Sequence, residues 1–124
     1  MRLLLDTHIA LWEIEGRWSP SAAVASALEE ATELRLSVVS FVEVGIKMSI
    51  GKLRVARDMR DYARELGLQI LGLTPEHGLG VAELPLHHRD PFDRLLISQA
   101  QHERLTVLTA DRRFTKYEVP VVLA

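Results

Sequence analysis

The sequence of 124 residues contains no cysteine, no long apolar run and no marked excess of charge of either sign. The absence of cysteine excludes disulfides, thiolate zinc sites and cysteine nucleophiles, and it agrees with a reducing cytoplasm. No stretch approaches the ~20 apolar residues that a membrane-spanning helix needs, and the apolar run after Met1 is interrupted by Asp6. We therefore expect a soluble, cytoplasmic protein.

The formal net charge of −2 provides no global positive field that would attract nucleic acid. The segment from Lys47 to Arg64 nonetheless has six basic and two acidic residues, a local charge of +4. Arg112, Arg113 and Lys116 form a second basic group. A solvated surface explains such runs by itself, and a functional role requires an acidic site beside them.

Short apolar segments alternate along the chain with segments of helical periodicity. Strands are predicted over residues 3–5, 34–39, 68–73, 105–108 and 119–123. Helices are predicted over residues 7–15, 19–28, 40–50, 56–66, 74–84 and 90–100. This alternation implies βαβ units, so we predict an α/β fold with three α/β/α layers around a mainly parallel sheet. Length and composition suit one domain over residues 1–124.

Four acidic residues follow predicted strands at places where ligands bind in parallel sheets. Asp6 comes directly after the first strand, and Glu43 lies one turn into the helix after the second. Asp93 lies in the first turn of the helix that begins near Pro91, and Asp111 follows the fourth strand. If these strands are neighbours, the four carboxylates meet at the carboxyl edge of the sheet.

Such a cluster is unfavourable alone, because like charges raise one another's pKa and oppose folding. A bound cation offsets the repulsion, and an oxygen-only ligand set without cysteine favours Mg²⁺ or Mn²⁺. One or two such ions can activate water and orient a phosphate, so the chemistry implied is phosphodiester hydrolysis.

Each acidic residue also has a structural explanation. Asp6 could cap the helix after it, and Glu43 could close a capping box with Ser40. Asp93 is well placed for the helix macrodipole, and Asp111 could be an ordinary turn residue. The hypothesis therefore rests on the four residues together.

The acidic residues lie in four sets of short motifs, which are Leu3-Leu4-Leu5-Asp6-Thr7-His8, Ser40-Phe41-Val42-Glu43-Val44 with Lys47 and Gly51-Lys52-Leu53, His88-Arg89-Asp90-Pro91-Phe92-Asp93-Arg94-Leu95-Leu96-Ile97, and Leu105-Thr106-Val107-Leu108-Thr109-Ala110-Asp111. In their order and spacing these motifs resemble the PIN domain family, and VapC-type toxins of toxin–antitoxin pairs in particular. The resemblance runs from Met1 to Val121.

The resemblance implies a Mg²⁺- or Mn²⁺-dependent endoribonuclease that is dimeric and inhibited by a cognate antitoxin protein. It identifies Asp6, Glu43, Asp93 and Asp111 as catalytic, with Asp6, Asp93 and Asp111 as metal ligands. Thr109, Thr7 and Asp90 are supporting residues. Either Asp90 or Asp93 could face the metal; we prefer Asp93, because Asp90 before Pro91 suits the N-cap.

Basic residues near these positions are candidates for contact with RNA phosphates. We assign this role to Lys47, Lys52, Arg57, Arg112 and Arg113. The i, i+3, i+7 spacing of Arg57, Arg60 and Arg64 predicts one shared helical face.

The adjacent His87 and His88 could suggest zinc, but a loop location favours solvent exposure and no third ligand has suitable spacing. Apolar and aromatic residues are mostly core candidates, and some could instead line a groove for a partner's helix; these are Trp12, Trp18, Phe41, Val42, Met48 and Ile50.

Two other functions remain open. A haloacid-dehalogenase-type phosphatase would require a second Asp two residues after Asp6, where this chain has His8. A non-catalytic module of the same fold could keep the acidic residues for structure.

Overall fold

In the computed structural model, which describes residues 1–124, five parallel strands form one sheet in the order β3-β2-β1-β4-β5. The strands are β1 (Arg2–Leu5), β2 (Glu33–Ser37), β3 (Gln69–Leu71), β4 (Thr106–Thr109) and β5 (Val121–Leu123). The helices are α1 (Thr7–Glu15), α2 (Ala22–Glu30), α3 (Val38–Ser49), α4 (Met59–Glu65), α5 (Pro75–Gly80) and α6 (Pro91–Glu103). Short 3-10 turns lie at Val81–Glu83 and Arg112–Lys116. The predicted α/β class and parallel sheet are confirmed.

The sheet separates two hydrophobic cores, because successive strand residues point to opposite faces. Leu5, Leu36 and Leu108 pack with α1, α2 and α4 on one face. Leu4 and Val107 pack with α6 on the other. Helix α3 contributes Val44 to the first core and Val39 to the second. These contacts produce the predicted three layers.

The predicted starts of α2 and α3 were wrong. Helix α2 is capped by Ser21 rather than Ser19, since the Ser21 hydroxyl accepts a hydrogen bond from the Val24 N–H. The second strand was predicted to continue to Val39, but the chain is already helical at Val38. The Ser37 hydroxyl accepts from the Val39 N–H and caps α3 there. Helix α3 therefore begins earlier than its β-branched valines suggested.

Several apolar residues in and directly after α3 were core candidates but lie at the surface. Val42, Met48 and Ile50 are about half exposed or more, at 49%, 51% and 60%. Phe41, Trp12 and Trp18 are partly buried against the first core. No helix combines the length and apolar character that a membrane crossing requires.

Candidate active site

The strand order places a topological switch point between β1 and β4. From β1 the chain moves outward through β2 to β3, and then returns to the other side of β1 for β4 and β5. Connections therefore leave the carboxyl ends of β1 and β4 in opposite directions, which opens a crevice there. Asp6 follows β1, and Thr109 is the last residue of β4. The predicted edge is thus formed by these two strands.

Asp6 is buried at this edge with one of its carboxylate oxygens unused. Its side chain is 2% exposed, and its Oδ2 accepts a 2.7 Å hydrogen bond from the Thr109 hydroxyl. Its Oδ1 is buried and has no hydrogen-bond partner. Although Asp6 occupies the N-cap position of α1, its side chain caps no backbone N–H. Burial raises the pKa of Asp6, and the Thr109 hydrogen bond opposes that rise.

Glu43 is the second buried carboxylate, and the predicted capping box with Ser40 is wrong. Because Ser37 caps α3, Glu43 lies in the second turn, and the Ser40 hydroxyl instead lies 2.7 Å from that of Thr7. Glu43 is 1% exposed; its Oε2 accepts a 2.6 Å hydrogen bond from the Lys47 ammonium. Its Oε1 has no partner. The Thr7–Ser40 contact ties the helix of Glu43 to the end of β1.

The first turn of α6 gives Asp90 and Asp93 different environments. The Asp90 carboxylate accepts from the backbone N–H groups of Phe92 and Asp93, so it has the predicted N-cap role. Asp93 is 6% exposed. Burial, with the negative charges of Asp6 and Asp90 as smaller causes, raises its pKa to about 8. Of the two residues, Asp93 is the one placed among the other acids.

Asp111 is less buried and carries more hydrogen bonds. It caps the 3-10 turn after β4 by accepting from the Arg113 N–H, and the Arg113 guanidinium forms a fork on both carboxylate oxygens at 2.8–3.2 Å. These bonds lower the pKa of Asp111 to about 2. The Asp111 N–H donates to the Thr109 hydroxyl oxygen at 3.0 Å. Thr109 therefore links Asp111 to Asp6.

His88 lies between two of the acids, and its predicted solvent exposure was wrong. It is 4% exposed, whereas its neighbour His87 is exposed as expected. Its Nε2 is 2.7 Å from Oδ2 of Asp93 and 3.1 Å from Oδ2 of Asp111. The sequence contained one local signal for this position, because a histidine two residues before a helix N-cap can accept the N-cap amide hydrogen, as His88 does from Asp90.

The predicted RNA-binding residues fall into three groups. Lys47 and Arg113 are ion-paired with acids of the site, Glu43 and Asp111. Lys52 and Arg112 are exposed and have no ion pair. Arg57 lies before α4 and pairs with Glu65.

The predicted helical face of three arginines is wrong, because the helix begins at Met59. Arg60 and Arg64 also form ion pairs, with Asp58 and Asp61 respectively.

The donor chemistry of the cluster suits a hard divalent cation. Every carboxylate is at least partly buried, and two buried oxygens, Asp6 Oδ1 and Glu43 Oε1, lack any partner. A buried carboxylate oxygen without a hydrogen bond lowers the stability of the fold unless a ligand binds to it. The ligand atoms of His88, Asp93 and Asp111 lie within 4.8 Å of one another. Asp6 is not part of that group, but its charge is near enough to raise the pKa of Asp93. The carboxylates of Asp93 and Asp111, with Asp6 beside them, could hold Mg²⁺ or Mn²⁺.

Comparison with known proteins agrees with this architecture. The chain is 27% identical over 121 residues to Ribonuclease VapC22 of Mycobacterium tuberculosis, covering 95% of this chain and 93% of that protein. It superposes with a TM-score of 0.69 on a chain of the crystal structure of VapBC2 from Rickettsia felis bound to a promoter DNA fragment. That match has 16% identity and covers 100% and 99% of the two chains.

A toxin–antitoxin complex from Klebsiella pneumoniae matches with a TM-score of 0.63 and 18% identity, over 97% of this chain and 95% of that chain. These two structural matches show the shared fold. The PIN domain sequence profile matches residues 3–120, nearly the whole chain. The chain therefore belongs to the PIN domain family, as its motifs predicted.

Proposed function

We propose that residues 1–124 form one metal-dependent endoribonuclease domain that hydrolyses RNA phosphodiester bonds with Mg²⁺ or Mn²⁺. Asp6, Asp93 and Asp111 are the proposed metal ligands, and Glu43 is the fourth catalytic acid. The observation that supports this most strongly is the pair of buried, unpartnered oxygens on Asp6 and Glu43. Acids kept only for structure would have these atoms paired.

A divalent cation at this site would lower the pKa of a water molecule and neutralise charge on the phosphate. The residues of the chain then have distinct tasks. Thr109 orients Asp6 through its hydroxyl, so that Oδ2 is occupied and Oδ1 stays available. Glu43 keeps Oε1 as a buried acceptor for a hydrogen bond from water, while Lys47 holds Oε2.

Asp93 supports the same assignment. Since its pKa is raised to about 8, its carboxyl group is largely protonated near neutral pH without a cation. Binding of a divalent cation would displace that proton, because the cation would stabilise the ionised Asp93 carboxylate that burial otherwise destabilises. Metal affinity is therefore expected to increase with pH.

RNA is the proposed substrate because exposed basic residues adjoin the acids. Lys52 lies with Lys47, His8 and Trp12 around an open pocket of about 370 Å³. Arg112 directly follows Asp111 and is exposed. These side chains can contact phosphates and position the strand without reading its sequence.

The test is cleavage of a single-stranded RNA with and without Mn²⁺. Asp6→Asn should lower the Mn²⁺-dependent rate by at least about a hundredfold, since it removes a metal ligand. Asp61→Asn, an exposed acid on α4, is the matched control and should cleave normally. Equal activity of Asp6→Asn and the native protein would favour the non-catalytic module, most clearly if the variant is also more stable.

We further propose that the protein is the toxin of a toxin–antitoxin pair. The support is its similarity to Ribonuclease VapC22 and to chains of VapBC complexes. A groove of about 580 Å³ between α3 and the start of α4 is apolar on its α3 side and bordered by Arg57, Asp58 and Arg60, which suits an amphipathic helix of the antitoxin. Phe41, Val44 and Met48 line its α3 side.

Co-expression with the product of a short open reading frame beside this gene tests this assignment. The native chain should arrest growth alone and not with that partner. Met48→Lys, in the groove, should keep RNA cleavage and escape inhibition, whereas Leu79→Lys, an equally polar change on exposed α5, should remain inhibited. Inhibition of both variants to the same extent would exclude the groove as the antitoxin site.

A homodimer is also proposed. Val42 and Ile46 on α3 and Ile50 at its C-cap recur at intervals of four residues and are 47–60% exposed, which gives an apolar stripe beside the groove. Ile46→Glu should convert a dimer to a monomer in light scattering, and a monomeric native protein would contradict the proposal.

A further inference from the structure

We infer that His88 is a positioning residue of the acidic site, whose Nε2–H group donates to Asp111 beside Asp93, and that its ring is not a ligand of the cation. This inference rests on the proposed metal-dependent function. A histidine touching two candidate metal ligands would ordinarily suggest coordination, and the ligand atoms of His88, Asp93 and Asp111 all lie within 4.8 Å of one another. The hydrogen bonds of the ring indicate the opposite role.

The tautomer of His88 is determined by the backbone of α6. The Asp90 N–H donates to Nδ1 of His88 at 3.1 Å. A ring nitrogen that accepts a hydrogen bond carries no proton, so a neutral imidazole carries its proton on the other nitrogen, Nε2. That Nε2–H group hydrogen bonds to Oδ2 of Asp111 at 3.1 Å and lies 2.7 Å from Oδ2 of Asp93.

Metal binding by His88 would require this arrangement to be reversed. Coordination uses an unprotonated ring nitrogen, so Nε2 would have to pass its proton to Nδ1. A proton on Nδ1 would face the amide proton of Asp90. That amide cannot turn away, because the Asp90 carboxylate is simultaneously the N-cap of α6.

The peptide backbone of His88 is also held on both sides, which fixes the position from which the ring projects. The His88 N–H donates to the Tyr117 hydroxyl at 2.8 Å, and the His88 carbonyl accepts from the Arg94 guanidinium at 3.3 Å. The ring lies edge-on to Phe114.

Arg94 fixes the rest of this loop. It is 8% exposed and has no carboxylate partner; its guanidinium donates instead to backbone carbonyls of Val81, Leu84 and Pro85 as well as His88. A buried guanidinium satisfied in this way holds the loop in one conformation.

His88 therefore has the role of an outer hydrogen-bond partner that orients the Asp111 carboxylate beside Asp93. It leaves the cation site with oxygen ligands only, which favours Mg²⁺ and Mn²⁺ over zinc. This explains how a buried histidine can adjoin the acids of a site that uses hard cations.

Nitrogen-15 NMR of the ring on the full-length native protein tests the tautomer directly, with the His88→Gln spectrum to assign the signals. Nε2 should be protonated and Nδ1 unprotonated without metal, and both should stay so when Mg²⁺ is added to saturation. Protonation of Nδ1 and loss of the Nε2 proton on Mg²⁺ addition would overturn the inference and make His88 a ligand.

Two variants separate the effect of the Nε2–H hydrogen bond from the effect of the side-chain volume. In His88→Gln the amide nitrogen can replace the Nε2–H donor, whereas His88→Leu cannot donate. We expect His88→Leu to weaken Mn²⁺ binding about 10–100-fold by calorimetry, and His88→Gln and the exposed control His87→Leu to stay close to the native affinity. Thermal unfolding of each variant verifies that it is folded.

Equal losses in His88→Gln and His88→Leu would contradict a donor role. Absence of Mg²⁺ and Mn²⁺ binding by the native protein would instead overturn the proposed function as a whole. The two failures are therefore distinguishable.

Discussion

Helix α6 carries a buried polar cluster toward each of its ends, and the two differ in how completely their hydrogen bonds are satisfied. In the cluster toward the C-terminal end, Gln99 donates to the Gly72 carbonyl and accepts from the Ser37 hydroxyl, while the Ser98 hydroxyl donates to the His77 carbonyl. The His77 ring accepts from the Thr74 N–H and lies 3.2 Å from Glu103. No buried side-chain atom of this cluster lacks a partner.

The acidic cluster at the N-terminal end is different, because Asp6 and Glu43 each keep one buried oxygen without a partner. The only other such side-chain atom, the Tyr62 hydroxyl, lies in the first core and belongs to neither cluster. The same helix thus contributes to one polar cluster whose buried atoms all have hydrogen-bond partners and to another with two buried oxygens that a ligand could still bind. This difference supports the proposal that the acidic cluster is the functional one.

The largest expected difference concerns stability without metal. In the folded protein the pKa of Asp93 is raised to about 8, so the folded state holds this proton more tightly than the unfolded state. Stability should therefore fall as pH rises from about 4 to about 8, by about 3–5 kcal/mol from this group. Urea unfolding in EDTA across this range measures the effect.

Asp93→Asn is the control for this profile, since it removes the titrating group. The variant should be more stable than the native protein at about pH 8 in EDTA, with the difference vanishing near about pH 4. Identical pH profiles for the two proteins would show that Asp93 carries no such penalty.

The second largest effect on the free energy of unfolding should occur in the polar cluster toward the C-terminal end of α6. Gln99→Leu leaves the Gly72 carbonyl and the Ser37 hydroxyl without their partner, and should lower the free energy of unfolding by about 2–4 kcal/mol. The Mn²⁺ affinity of the folded variant should be unchanged. A marked loss of Mn²⁺ affinity would show that the two clusters are coupled through α6.

The smallest effect concerns the basic residues around the acidic cluster. Lys52→Ala should lower the salt dependence of single-stranded RNA binding by about 0.7 in log–log slope, because one phosphate contact is lost. Arg57→Ala should leave the slope unchanged, since Arg57 is already paired with Glu65. Binding is measured in the Asp6→Asn background to prevent cleavage, and equal slopes for all three proteins would place Lys52 on an ordinary solvated surface.

The sequence predicted much of this arrangement because strands and helices alternate with clear periods. The order of the elements and the parallel sheet follow from that alternation, and the acids follow from their places after strands β1 and β4. The N-cap role of Asp90 was also predictable, since Pro91 follows it.

Two features could not be predicted, because each depends on tertiary packing that the local sequence pattern does not show. The burial of Glu43 depends on where α3 begins, and Val38 and Val39 carry a strand-like propensity that packing overrides. The burial of His88 depends on Arg94 and Tyr117, which bind its backbone from α6 and from beyond β4. Adjacent histidines in a loop gave no sign of either partner.

The position of a bound cation tests most directly whether the four acids form one metal site. A crystal of the native protein soaked in Mn²⁺ should give an anomalous peak within coordination distance of Asp6 Oδ1, with Asp93 and Asp111 oxygens around it and the His88 ring outside its ligand shell. An ordered, fully soaked crystal with no peak among these four acids, or with the ion bound elsewhere, would contradict the claim that they form one metal site.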